Sequence, residues 1–137
     1  MTEGNGLPIG VSVDGANRHD MKMVEPTLKS IVADRPVPQP AQPQRLCLDK
    51  GYDFAEVEQL VAQYGYTAHI RSRGQERKEE QALPGYRARR WVVERSHSWL
   101  NRFRRLLIRW DKRLDNYLAM LHFACAWITY RAAGVIG

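Results

Sequence analysis

Two acids in this 137-residue chain stand where their neighbours could put them to chemical use. Asp49 follows Leu46, Cys47 and Leu48, which read as a short buried strand; Gly51 then turns the chain and Asp53 opens a helix. A carboxylate at that junction is held rigidly by the strand and left open to solvent by the turn, a common arrangement for a catalytic acid. A plain turn residue explains the same stretch. Glu94 lies in a second setting, a long amphipathic helix read from about Arg87 to Trp110. There Val92, Trp99, Phe103, Leu106 and Trp110 share one side, joined by Val93, Leu100 and Leu107. At about 100° per residue, Ser98, Asn101 and Arg105 fall within roughly 40° of Glu94, and Arg90 and His97 flank it. A lone acid on a face of basic and amide groups is unusual, because solvated faces mix acids with bases. Pairing of Glu94 with Arg90 or Ser98 is the plainer alternative. Two carboxylates on different elements beside a basic segment point to metal-dependent phosphodiester chemistry, since hard oxygen ligands suit Mg²⁺.

The charge distribution agrees with an anionic partner. The net charge is +6, but residues 1–70 carry 6 basic and 9 acidic side chains, and residues 71–113 carry 14 and 5. One segment therefore holds the positive field, as expected of a phosphate-backbone binder. Cys47 and Cys125 stand far apart in apolar surroundings and read as small core residues of a reducing compartment. No zinc-binding spacing occurs, the first ten residues do not form a secretory signal, and the apolar stretch Tyr117 to Tyr130 is shorter than the ~20 residues a membrane span needs. A cytoplasmic, non-membrane protein is expected.

The remaining elements must position those acids. Leu7, Ile9, Val11 and Val13 alternate as in a half-buried strand, after the hairpin signal Asn5-Gly6. Only a stubby arm can precede that turn, and Pro8 favours a strand edge or start. Asp20 is placed to cap a helix with Met21, Val24, Leu28 and Ile31 as its apolar stripe; His19 beside it reads as a metal or phosphate ligand or as a surface loop residue. Residues 36–44 form a proline-rich surface loop and residues 71–86 a charged one. Between them, Asp53 and Glu56 form a capping box for a helix with the stripe Val57, Leu60, Val61 and Tyr64, stopped by Gly65, and Tyr66 to Ile70 is a second strand. A final helix from about Asn116 to Ala133 is apolar almost all round and should be the most buried element. The order predicts one α/β domain over residues 1–137 with helical crossovers.

The stretches GNGLPIGVSVDGANRHD, LCLDKGYD, YTAHIRSRG, RARRWVVERSHSWLNRFRRL and NYLAMLHFACAWITYR cover nearly the whole chain. In this order they closely resemble the C-terminal part of DDE transposases of bacterial insertion sequences, in the insertion-sequence-five group. The resemblance implies an RNase H-like mixed sheet flanked by helices, with Asp49 as the second catalytic acid and Glu94 as the catalytic glutamate. Both would be ligands of Mg²⁺ or Mn²⁺. It also implies DNA contacts from Lys50, Arg90, Asn101, Arg102 and Arg105. Arg90 matches the arginine of the family's Tyr-Arg-Glu-Lys signature, four residues before Glu94. The tyrosine position holds Arg87, with Tyr86 one residue early, and the lysine position holds Asn101 beside Arg102, so phosphate anchoring passes to Arg102 or Arg105. The family's first catalytic Asp precedes the Asn-Gly hairpin; Asp14 and Asp20 lie after it and do not take that role. The expectation is a sheet lacking its first strand, an incomplete metal site, and a chain that is the second half of a split transposase or a truncated form. Its partners would be transposon-end DNA, an upstream-frame half and a second copy of itself. Alternative readings are a non-catalytic DNA-binding regulator or inhibitor of transposition, and a folded product without function.

Overall fold

The computed structural model describes residues 1–70 and 90–134, with the Arg90 side chain left out. The charged loop expected at 71–86 and the helix start expected at Arg87 lie outside the described residues. The chain divides into two compact units, Asp14–Ala88 and a second built from Met1–Val13 with Arg89–Gly137. Among the described residues the architecture is mixed α/β, with helices and a two-stranded parallel sheet.

In the unit Asp14–Ala88, strand β1 (Gln44–Leu48) pairs in parallel with β2 (Tyr66–Ile70), in register from Gln44 opposite Tyr66 to Leu48 opposite Ile70. Parallel strands need a long connection, and here a 3-10 turn (Lys50–Tyr52) and a helix supply it. A 3-10 turn at Asp20–Met23 leads into α1 (Val24–Lys29), and the crossover helix is α2 (Ala55–Gln63). Val24 and Leu28 of α1, Val57 and Val61 of α2, and Tyr66 of β2 form the core, with Val61 fully enclosed. Gly65 adopts φ +77° and its N–H bonds to the Ala62 carbonyl at 2.9 Å, the left-handed stop expected after α2.

Three expectations need correction in this unit. The Asp53–Glu56 capping box does not form: Asp53 closes the preceding 3-10 turn, and Phe54 takes the N-cap position without a side-chain cap. Asp20 is the first residue of its 3-10 turn, with His19 before it, and does not cap it. β1 is half-buried, because its side chains alternate between the two faces, and Cys47 falls on the exposed one. Arg35 ties the base of the proline-rich loop, donating to the Gln44 side chain and the Tyr64 carbonyl, each at 3.2 Å, with its guanidinium 4.2 Å from the Tyr66 ring centre.

In the other unit, the chain starts in a tight hairpin. The Gly6 N–H bonds to the Glu3 carbonyl and the Glu3 N–H to the Leu7 carbonyl, both at 2.9 Å. Gly6 alone in this loop has positive φ, +90°, so Gly4 and Asn5 turn the chain and Gly6 forms the bulge of a three-residue hairpin loop. The short arm before it bridges Thr2 to Pro8. Residues 9–13, expected as a strand, are in no ladder among the described residues.

Helix α3 (Arg90–Leu100) follows in this unit, then α4 (Arg104–Leu107) and α5 (Leu114–Ala132). The single long helix expected to reach Trp110 is thus broken. After Asn101 the bonds switch to i−3 partners, Arg102 to Trp99 at 3.2 Å and Phe103 to Leu100 at 3.0 Å, and Phe103 leaves helical geometry at φ −88°, ψ 93°. α5 buries only the stripe Leu121, Ala124 and Ile128, while Phe123, Trp127 and Tyr130 stay exposed. Among the described residues it is therefore not the most buried element: it contacts α3 and α4, yet several of its large apolar side chains stay in solvent.

Gly6 docks on α3. A Cβ there would stand 3.1 Å from the Val92 carbonyl oxygen and 3.3 Å from the Arg95 side chain. Gly6→Ala combines that contact with a strained positive φ and is expected to cost about 1–3 kcal/mol in chemical denaturation. Gly4→Ala, in open space, is expected to stay within about 0.5 kcal/mol of the parent. Equal midpoints for the parent and Gly6→Ala would show that the bulge is not required.

Candidate active site

Asp49 leaves β1 in extended geometry, φ −71° and ψ 160°, and its Oδ1 accepts the Lys50 N–H at 2.6 Å. That bond orients the carboxylate over the start of the 3-10 turn, which the Tyr52 N–H closes onto the Asp49 carbonyl at 2.9 Å. Both Asp49 and Lys50 are exposed. Burial raises the Tyr52 phenol above the ordinary tyrosine range, and the negative charges of Asp20 and Asp49 raise it further. Both carboxylates therefore act on Tyr52, and the two 3-10 turns that carry them are in contact. The sequence shows no such proximity, because 29 positions separate the two acids and nothing in their spacing pairs them. His19 lies nearby, edge-on to Phe54 with ring centres 6.2 Å apart, in keeping with a surface aromatic contact.

Glu94 stands in the other unit, exposed on α3. Its direction follows from the two residues around it. Val92 and Ser96 are buried, and the Ser96 hydroxyl lies 2.5 Å from the Gly6 carbonyl and 3.1 Å from that of Val92. A position two residues away on an α-helix is turned by about 200°, so Glu94 points away from the hairpin. Arg95 secures the same helix by donating to the Asn5 carbonyl at 3.3 Å, with its guanidinium 4.4 Å from the Trp91 ring centre and 5.7 Å from that of Trp99. Glu94 has no ion pair with a described residue, and Arg90 opens α3 with its side chain outside the described residues. His97 and Ser98 are exposed as expected.

The break after α3 separates the remaining candidates. Asn101 and Arg102 are exposed in the turn. Arg102 lines a groove of about 420 Å³ with Trp99, Phe103, Trp127 and Arg131, a grouping of aromatic rings and cations that the sequence does not announce. Arg105 no longer continues the face of Glu94. Its Nε and Nη2 donate to the two Asp111 oxygens at 3.0 and 2.8 Å, and this hydrogen-bonded pair holds the buried Asp111 carboxyl below the usual carboxylate range and lifts Arg105.

As ligands, Asp49 and Glu94 have the right chemistry for a hard divalent cation: both are exposed carboxylates, and Asp49 commits one oxygen to a backbone N–H. Among the described residues, no group of three or more His, Cys, Asp or Glu side chains is placed to hold a metal ion. No helix among them is long and apolar enough to cross a membrane.

Residues 1–129 match the family described as the transposase DDE domain. The chain belongs to this DDE transposase family. It is also 34% identical, over 138 aligned residues, to a Burkholderia cepacia protein named as a transposase for insertion sequence element IS402. The alignment takes in 97% of this chain and 63% of that protein, so the DDE transposase chain spans less than two thirds of its relative's length. No solved structure matches it.

The Arg105–Asp111 pair gives this unit a defined acid sensitivity. Because the folded-state value of Asp111 lies below the unfolded one, near 3.9, its stabilisation is complete above that value and is lost as pH falls through the folded value. Asp111→Asn should therefore melt below the parent at neutral pH, and the gap should close as pH falls below the unfolded value. Thermal melts across that range test this; a gap independent of pH would assign the loss to packing.

Proposed function

We propose that this chain is the C-terminal part of an RNase H-like catalytic domain, from an insertion-sequence transposase of the insertion-sequence-five group, that cuts and joins DNA at the element's ends. The observation that carries the reading is Asp49, an exposed acid at the carboxyl end of a parallel strand, in a chain whose residues 1–129 match the transposase DDE domain. Ligands of open parallel sheets bind at that end of the strands. In this reading residues 1–137 form a single domain, acting in the bacterial cytoplasm on transposon-end DNA.

Asp49 and Glu94 would hold Mg²⁺ or Mn²⁺, which supplies Lewis-acid stabilisation of the attacking and leaving oxygens when bound. The rest falls to the protein. The Asp49 carboxylate is oriented by the Lys50 N–H, and the exposed Lys50 side chain would be available to a phosphate. Ser96 and Arg95 hold α3 so that Glu94 faces outward. Arg90, Asn101 and Arg102 would contact the DNA backbone. Arg105, more than half exposed while paired with Asp111, retains Nη1 for a phosphate. An upstream transposase half and a second copy of the chain are the protein partners of this reading.

The second reading, a non-catalytic DNA-binding regulator, is favoured by the concentration of positive charge in residues 71–113. Nicking assays on a plasmid carrying the element's ends separate the two. A protein extended to its relative's full length is expected to nick in Mg²⁺ and to stop in EDTA. Asp49→Asn or Glu94→Gln should lower that rate by about 10²-fold or more. Undiminished nicking by Glu94→Gln would remove Glu94 from the site. Salt-sensitive DNA binding without nicking, by parent and variants alike, would favour the regulator.

A further inference from the structure

The end of α4 and the segment joining it to α5 hold large apolar side chains out in solvent. Trp110 is 72% exposed, Leu107 60% and Ile108 52%. The segment is pinned all the same. The two-point Arg105–Asp111 pair closes it across residues 106–110, Asp111 is buried, and the Arg109 guanidinium lies 5.4 Å from the Tyr117 ring centre on α5. An exposed tryptophan on a tethered loop forfeits the gain of burial, and apolar surface held out in this way marks an interaction site.

The charge around the tip identifies the partner. Residues 102–113 contain six basic side chains and one acid, Asp111, which Arg105 already neutralises. Arg104 precedes the apolar residues in the chain, and Lys112 and Arg113 follow them; the Arg113 contact with Asp115, at 3.6 Å, is highly exposed and leaves the cation open to exchange. An apolar tip bordered by cations on both sides complements a groove whose floor of stacked base steps, which apolar wedges can part, runs between two rows of phosphates. Duplex DNA has that groove, whereas a single strand offers one row. Apolar side chains that enter a groove partly unstack a base step, while neighbouring cations meet the backbone.

We propose that residues 104–113 form a DNA-docking knuckle, in which Trp110 and Ile108 press on a base step of a duplex groove while Arg104, Lys112 and Arg113 contact the flanking phosphates. The inference rests on the reading of the chain as a DNA-acting protein and adds the surface and the mode of contact.

The test uses the full chain and a short duplex with 2-aminopurine at a central TA step, together with the same strand unpaired. Anisotropy between about 50 and about 200 mM salt measures affinity and its salt slope, and 2-aminopurine emission reports unstacking. The parent is expected to bind the duplex and raise the emission. Trp110→Ala and Ile108→Ser should each bind about tenfold more weakly, keep the parent's slope and lose the emission rise. Lys112→Ala with Arg113→Ala should lower the slope by about two. Both apolar positions are exposed, and far-UV circular dichroism verifies that the variants fold; if one does not, the other carries the test. If both variants match the parent in affinity and emission, the knuckle is overturned, while a steep parental salt slope leaves the DNA-acting reading intact. A parent that binds no DNA overturns both. Weakening seen only with the unpaired strand overturns the duplex assignment. Variants that lose self-association in sedimentation with unchanged DNA binding also overturn the proposal, in favour of a contact between copies.

Discussion

The contact between the Gly6 carbonyl and the Ser96 hydroxyl is the constraint on which the glutamate-bearing unit depends. It requires a backbone without a side chain at Gly6, seated 3.1 Å in Cβ terms from the Val92 carbonyl, and a small hydroxyl at Ser96 facing it. A buried hydroxyl must find an acceptor, and a bulged hairpin presents its carbonyl where a regular turn would not. Once Val92 and Ser96 are committed inward, helical geometry turns Glu94 outward. A structural pair of residues thus orients a residue of proposed chemical use that neither touches.

Asp49 is oriented by a different device. Its strand is short and only half-buried, so rigidity comes from the parallel pairing with β2 and from the turn that follows. The Lys50 N–H bond spends one carboxylate oxygen and fixes the plane of the group. Around it the charges are not isolated, since Asp20 and Asp49 both bear on Tyr52. One acid is therefore set by backbone hydrogen bonds in one unit, and the other by side-chain packing in the other unit.

The basic segment carries two kinds of arginine. Arg95 and Arg105 are used internally, one between aromatic rings and the hairpin, the other on Asp111, where they shape α3 and the segment after α4. Arg102 and Arg104 keep exposed side chains, and Trp110 stands unburied in the segment after α4. A count of charge along the chain treats all of these alike. The structure divides them by whether an acceptor lies within reach, and the internal ones build the surface that the others occupy.

Much of this was legible in the residues themselves. The strand Tyr66–Ile70, the stripe Val57 and Val61 with its stop at Gly65, and the hairpin at Asn5-Gly6 each follow from local periodicity or from a backbone angle that glycine alone takes easily. The family was legible too, because its motifs are runs of adjacent residues. What the sequence could not determine depends on contacts between distant positions: the break of the long helix at Phe103, the capture of Arg105 by Asp111, the exposure of Cys47, the uncovered side of α5 and the shared field of Asp20 and Asp49. Periodicity shows that a helix has an apolar side, but only tertiary packing decides how much of that side finds a partner. Local sequence encodes backbone geometry, and the environment of each charge is set by whatever the fold brings against it.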